Sequence, residues 1–234
     1  LDTNPADTII AQSDATGAKL LAVTVMPGPQ LQQAVAVCKR IKRERPNLTI
    51  LWGGYFASGH YEVILQSGYV DYCIIGQGEA PFRKFVDVFH SGGALADVPS
   101  LAYLDEADTL QMTLRAPFVQ VENLPIYPYE KINVDDYIGG SFLGSRVTAH
   151  HSSWGCPFAC SFCAIVPLAK QRWLAESPQR VASTLQYLQD RHHIDAVEFH
   201  DMDFFVKEGR SADIAERLMP MNLNWWGLGR VDTL

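Results

Sequence analysis

Lys19-Leu20-Leu21-Ala22-Val23-Thr24-Val25-Met26 is an unbroken apolar and β-branched run that stops at Pro27-Gly28-Pro29. It is far too short to span a membrane and reads as a parallel strand covered on both faces. Behind it, Leu31, Ala34, Val35, Cys38 and Ile41 recur at helical spacing over residues 30–45, and Pro46-Asn47 ends the segment. A second strand is predicted over 48–52, running into Gly53-Gly54. A short helix over 61–66 leads to a third strand over 69–75, which ends in Gly76-Gln77-Gly78-Glu79. The next helix puts Phe82, Phe85, Val86 and Phe89 on one face and ends at Gly92-Gly93. Strand–helix alternation with glycine-rich turns after the strands predicts an α/β fold over 1–93. The expected form is a doubly wound, Rossmann-like parallel sheet with a ligand crevice at the carboxyl ends of its strands.

Residues 94–145 change character. Two short strands, 100–103 and 111–114, flank Asp105-Glu106-Ala107-Asp108, and a stretch rich in proline and tyrosine follows. This reads as an ordered linker. The alternation resumes over 146–234: a strand at 146–152, a long loop at 153–171, and a helix with Ser177 as N-cap and Pro178 at its first position. Val181, Leu185 and Leu188 share one face of that helix. A strand at 194–199, a helix at 211–218 and a strand at 223–229 complete an unfinished barrel or open sheet. The chain opens at Leu1, in mid-pattern, and stops just after a strand, so a fragment cut at both ends is expected.

Apolar residues make up 47% of the 234, enough for a buried core. With 19 basic and 26 acidic side chains the net charge is −7. The one basic run, Lys39-Arg40-Ile41-Lys42-Arg43-Glu44-Arg45, reads as a solvated helix face, which argues against nucleic-acid binding. No membrane span and no secretory leader is read, and a cytoplasmic protein is expected. Five cysteines, Cys38, Cys73, Cys156, Cys160 and Cys163, are an odd number, with three inside eight residues. That pattern points to a metal site in a reducing compartment rather than to disulfides.

Those three lie in Trp154-Gly155-Cys156-Pro157-Phe158-Ala159-Cys160-Ser161-Phe162-Cys163, a C-x3-C-x2-C spacing. Three thiolates on one loop can converge on one metal centre. A cubane iron–sulfur cluster takes four protein ligands as a rule, so three leave one iron open to a non-protein ligand. Structural zinc needs a closed set of four, for which His150 or His151 is a candidate fourth. Cys38 and Cys73 fit plain core positions.

The cysteine stretch resembles the signature of radical S-adenosylmethionine (SAM) enzymes. The resemblance implies a partial (β/α) barrel and a [4Fe–4S] cluster on Cys156, Cys160 and Cys163. The amino and carboxylate groups of SAM would sit on the fourth iron, and reductive cleavage would give a 5′-deoxyadenosyl radical. By the same likeness Phe162 marks the adenine contact. Glu198-Phe199-His200-Asp201-Met202-Asp203-Phe204 resembles the F-x-D-x-x-F pattern of the cobalamin-dependent branch. It implies Asp201 as the SAM amino partner, with Glu198, His200 and Asp203 as further candidates. Arg230 is a candidate for the SAM carboxylate through its planar fork.

Gly53-Gly54 and Val70-Asp71-Tyr72-Cys73-Ile74-Ile75-Gly76-Gln77-Gly78-Glu79 are similar to the cobalamin-binding domain of that branch, as is Glu122-Asn123-Leu124-Pro125. Met26, Gly53, Gly54, Tyr55, Gly76, Gly78 and Glu79 are the implied cobalamin contacts. Glycine there lets backbone approach the corrin without a Cβ clash. The D-x-H-x-x-G motif, which brings a histidine to cobalt in many cobalamin proteins, is absent, its usual place preceding Leu1. A domain of this fold that binds nothing and serves as a scaffold is the bland alternative. The resemblance implies methylation of an unactivated carbon, or cyclisation or rearrangement, on a small-molecule substrate. It also implies an electron donor such as flavodoxin or ferredoxin. An iron–sulfur sensor and a zinc-stapled binding module remain the readings from other classes.

Overall fold

In the computed structural model, which describes residues 4–233, α1 (Pro5–Thr16) starts at Asn4, whose side chain accepts the Ala6 N–H. It opens the first of two units, Leu1–Phe118 and Val119–Leu234. In the first, β1 (Leu20–Thr24), α2 (Pro29–Glu44), β2 (Thr49–Gly53), α3 (Gly54–Gln66), β3 (Tyr72–Ile74) and α4 (Glu79–Ser91) alternate as expected. They are followed by β4 (Leu101–Leu104) and β5 (Leu110–Met112). The sheet order is β1-β2-β3-β4-β5; the first three strands are parallel, and β4 and β5 are antiparallel additions.

Alternation along β2 sends its side chains to opposite faces. Ile50 and Trp52 pack with Cys38 and Ile41 of α2, whereas Leu51 packs with Ile74, Phe85, Val88 and Leu101. Helices therefore seal both faces of β2, and the doubly wound α/β reading holds. Cys38 and Cys73 are fully buried core residues, and the Trp52 indole N–H donates to the Cys38 sulfur at 3.3 Å. Asp71 is structural: it takes Lys42 Nζ at 2.8 Å on each carboxylate oxygen and the Ile50 N–H at 2.7 Å.

Several local expectations differ from the structure. β1 is an edge strand among the described residues, and Ala22 and Thr24 are exposed rather than covered. The inward face of α4 is Pro81, Phe85 and Val88, so Phe82 faces solvent. The predicted helix over 61–66 is the second half of α3, which already starts at Gly54 and kinks at His60. The stretch 94–145 is not a separate linker. Its two strands, β4 and β5, extend the first sheet, because Tyr72, Cys73 and Ile74 pair with Tyr103, Ala102 and Leu101.

The second unit has β6 (Gly139–Ser141), β7 (Gly144–His150), β8 (Ser153–Gly155), α5 (Ile165–Ala169), β9 (Trp173–Ala175), α6 (Pro178–His192), β10 (Ala196–Phe199), α7 (Glu208–Leu218) and β11 (Asn224–Gly227). Its main sheet runs β11-β10-β7-β6, with β7, β10 and β11 parallel and β6 antiparallel. Ser177 caps α6 as predicted, accepting the Arg180 N–H at 3.2 Å. Val181, Leu185 and Leu188 of α6 pack with Ile214 and Leu218 of α7 against Val197, Phe199 and Trp225. On the opposite sheet face, Ala149, Glu198 and Trp226 lie side by side, exposed or half-buried.

The segment entering this unit is tied down by charge. Both Glu122 carboxylate oxygens accept from Ser177, through its N–H at 2.9 Å and its hydroxyl at 2.7 Å. Arg180 donates to the carbonyls of Leu124 and Pro125 at 2.9 and 3.1 Å. No helix among the described residues is long and apolar enough to cross a membrane.

The start of β7 hangs on Asp195. Its carboxylate accepts the Ser145 hydroxyl at 2.6 Å and the N–H groups of Ser145 and Arg146 at 2.9 Å each. These bonds, the Ser145 hydroxyl first, hold the carboxyl below the usual range. A carboxyl with a depressed folded pKa stabilises the fold above its unfolded value and loses that contribution as pH falls through the folded one. Asp195→Asn should therefore destabilise the protein at neutral pH and flatten the acid limb of its stability curve, measured by urea denaturation from pH 7 to pH 3.

Candidate cluster loop and strand-end site

Ser152 follows β7 and is gripped on each of its polar groups. Its N–H and hydroxyl donate to Asp201 at 3.2 and 2.9 Å. Its carbonyl accepts the Glu176 N–H at 2.9 Å and Arg210 Nη2 at 2.7 Å. The Ser153 hydroxyl also donates to Asp201. Asp201 is completely buried, so these donors replace the water its charge has lost.

From this anchor β8 pairs with β9, matching Ser153 with Ala175 and Gly155 with Trp173, and so closes the base of the loop that carries the cysteines. Gly155 sits at φ +77°, and a Cβ there would lie 2.3 Å from the Arg172 carbonyl oxygen. Only glycine fits this position without moving backbone. The Cys163 N–H donates to the Cys160 carbonyl at 3.0 Å, making a tight turn just before α5. Cys156, Cys160 and Cys163 are free, half-buried thiols, and Phe162 is 91% exposed. The Phe162 ring therefore stands in solvent, open to a ligand.

Among the described residues no three His, Cys, Asp or Glu side chains converge on the position of a single metal ion. A cubane takes each thiolate on a different iron, so a three-cysteine loop serves it without such convergence. His150 is 4% exposed and bonded to Glu176 at 3.1 Å, and Glu176 in turn takes Arg180 Nε at 3.0 Å. It is committed to this network rather than turned to the loop. His151 is exposed, beside Trp154 and His200, with ring centroids 6.4 and 5.9 Å away.

The acidic residues do not gather in one place. Asp201 faces Ser152 and Ser153. Asp203, 1% exposed, accepts the Phe205 N–H at 3.0 Å and the Thr233 hydroxyl at 3.2 Å. Glu198 stays half-buried on the uncovered sheet face, 3.3 Å from His200 Nε2. Arg230 reaches the cysteine loop: Nη1 donates to the Cys160 sulfur at 2.9 Å, and the guanidinium lies 4.1 Å over the Phe158 ring. Ser152, Ser153, Glu176 and Arg210 were not singled out from sequence. Their role depends on contacts across 24 to 58 residues, and only the paired serines before Trp154-Gly155 offered a local signal.

In the first unit the implied contacts cluster at strand ends. Gly54 has φ +89°, and a Cβ would lie 3.0 Å from the Val25 carbonyl oxygen. Ser58, also missed from sequence, donates to the Gly54 carbonyl at 2.7 Å and accepts the Gly76 N–H at 2.9 Å, joining the turns after β2 and β3. Met26 is exposed, with its N–H on Gln30, and Tyr55 is half-buried, its phenol pKa raised by burial. Glu79 is exposed in the first turn of α4. Gly53 and Gly78 carry no steric demand of their own, since a Cβ would meet nothing within 4 Å at Gly53 and only the Ile74 side chain, at 3.8 Å, at Gly78. The open space at Gly53 is compatible with a flat macrocycle approaching the backbone, whereas Gly54 is required by close packing on Val25.

Residues 1–86 match the B12 binding domain family. Over 207 residues the chain is 27% identical to an uncharacterised methyltransferase, PH0819, of Pyrococcus horikoshii, covering 87% of this chain and 44% of that protein. It is 24% identical to the anaerobic magnesium-protoporphyrin IX monomethyl ester cyclase of Synechocystis, covering 78% and 36%. In fold it is similar to the radical SAM methyltransferase TsrM of Kitasatospora setae, solved with cobalamin and a [4Fe–4S] cluster. That match has a TM-score of 0.67 and 17% identity, and covers 92% of this chain and 43% of that one. The chain thus spans less than half the length of these relatives. The cobalamin-domain reading of the first unit and the α/β architecture of both units are borne out.

Asp201→Ala would orphan three donors at the root of the cysteine loop. Leaving one buried donor unpaired costs about 1–3 kcal/mol. Urea denaturation should show a loss of at least that size, partly recovered in Asp201→Asn, which keeps one acceptor oxygen.

Proposed function

We propose that this chain is part of a cobalamin-dependent radical SAM enzyme that methylates an unactivated carbon of a small molecule. The observation that carries the reading is the cysteine loop: three free thiols within eight residues, rooted on Asp201 and turned by a glycine that no other residue can replace. It stands in one chain with a B12 binding domain.

When bound, the cluster supplies one electron for cleavage of SAM, and cobalamin supplies a methyl carrier. The chain's own groups then have distinct tasks. Cys156, Cys160 and Cys163 would hold the cluster, and three protein ligands would leave it open to a non-protein ligand such as SAM. The exposed Phe162 ring offers a face to adenine. Of the acidic candidates, Glu198 is the one on the uncovered sheet face and is favoured for the SAM amino group; Asp201 and Asp203 hold backbone instead. In the first unit, the turns after β1, β2 and β3 would cradle cobalamin, with Gly53 leaving open space and Gly54 letting the β2 turn pack against Val25. The thiols need a reducing compartment, such as the cytoplasm, and the electron comes from a flavodoxin or ferredoxin type of donor. A ring-closing or rearranging reaction is the second reading, favoured by the likeness to the cyclase.

After anaerobic reconstitution with hydroxocobalamin, the protein should hold about four iron and four sulfide, as a cubane requires, and bound cobalt. Cys160→Ala should lose iron and sulfide and keep cobalt. Zinc in place of iron and sulfide would overturn the reading. In the first unit, Gly53→Phe should lower cobalt content in soluble protein, because a side chain there enters open space at the end of β2, whereas Gly54→Ala should first cost stability, because its Cβ would meet Thr24 and Val25.

A further inference from the structure

Arg230 lies 70 residues beyond Cys160 in the chain, yet its guanidinium is fixed against that cysteine from three directions. Nη1 donates to the Cys160 sulfur at 2.9 Å. Nε and Nη2 form a two-pronged pair with Asp232 at 2.8 and 2.7 Å. Its central carbon lies over the Phe158 ring, inside the cysteine loop, 4.1 Å from the ring centroid. The turn that presents it is locked as well. The Arg230 N–H donates to the Thr233 hydroxyl at 3.1 Å, and that hydroxyl donates to the buried carboxylate of Asp203 at 3.2 Å. A planar, permanently charged fork suits such a three-sided fit, and a lysine could not reproduce it.

We propose that Arg230 is a positioning residue that raises the reduction potential of the cluster held by Cys160, by placing a cation and an N–H···S hydrogen bond on that sulfur. This rests on the cluster reading above and goes beyond it. The couple takes one electron, from [4Fe–4S]2+ to [4Fe–4S]1+, with dithionite as the reductant in the test. The reduced form carries one more negative charge, so a nearby cation and a donor to sulfur stabilise it more than the oxidised form. Asp232 opposes the effect, because its carboxylate partly neutralises the guanidinium. Two substitutions in one ion pair should therefore move the potential in opposite directions, which a merely structural role would not do.

The experiment is a redox titration of the reconstituted protein followed by electron paramagnetic resonance, without SAM. Arg230→Gln should keep the iron and sulfide of the parent protein but lower the ratio of reduced to oxidised cluster about tenfold at a fixed potential, a shift of about 59 mV for one electron. Asp232→Asn should raise that ratio. An Arg230→Gln titration that overlays the parent's would overturn the proposal, even if SAM binding changed, since Arg230 would then serve only the SAM carboxylate. If Arg230→Gln takes up no cluster, Asp232→Asn decides alone, and an unchanged or lowered ratio overturns the proposal. Failure of the parent protein itself to take up iron and sulfide would instead sink the cluster reading.

Discussion

A carboxylate with no access to water, at the end of β10, is the constraint on which the second unit depends. Asp201 can stay buried only if donors surround it, and those donors are Ser152 and Ser153, at the root of the cysteine loop. The need to satisfy one charge thus fixes where a remote loop begins. Arg210 and the Glu176 N–H then fix the Ser152 carbonyl, so neither side of that residue can shift alone. Folding of the parallel sheet and construction of the cysteine loop are in this sense one event.

The first unit solves a similar problem with neutral groups. Its strand ends run into glycine-rich turns, and such turns are the part of a sheet most prone to move. Ser58 sits one turn into α3 and holds two of those turns together with one hydroxyl.

The periodic part of this fold was legible in the sequence. The helical spacing of Ala34, Cys38 and Ile41 and of Val181, Leu185 and Leu188 correctly placed two buried faces, because each depends only on local repeat. The Ser177 cap and the metal-type cysteine spacing are local signals too. Strand neighbours are not. Whether residues 20–26 form a central or an edge strand depends on what pairs beside them, and the same apolar run serves both. Asp201 and Asp203 show the limit most clearly. A motif marks them as polar residues at a strand end, but their hydrogen-bond partners, Ser152 and Thr233, are 49 and 30 residues away. Once those partners are known, both carboxylates belong to the framework, and Glu198 is left half-buried on the uncovered sheet face beside His200.

The hold of Arg180 on the carbonyls of Leu124 and Pro125, together with the clasp of Glu122 on Ser177, has a bearing on how this chain can be taken apart. By sequence alone, a cut at residue 146 would look clean, since a strand begins there. Such a cut would strip Arg180 of its carbonyl acceptors, leave the cap of α6 unclasped, and remove β6 from the edge of the sheet. The natural seam lies upstream, between Phe118 and Val119, where the extended chain passes from one hydrophobic core to the next. A piece excised there carries its own doorway with it.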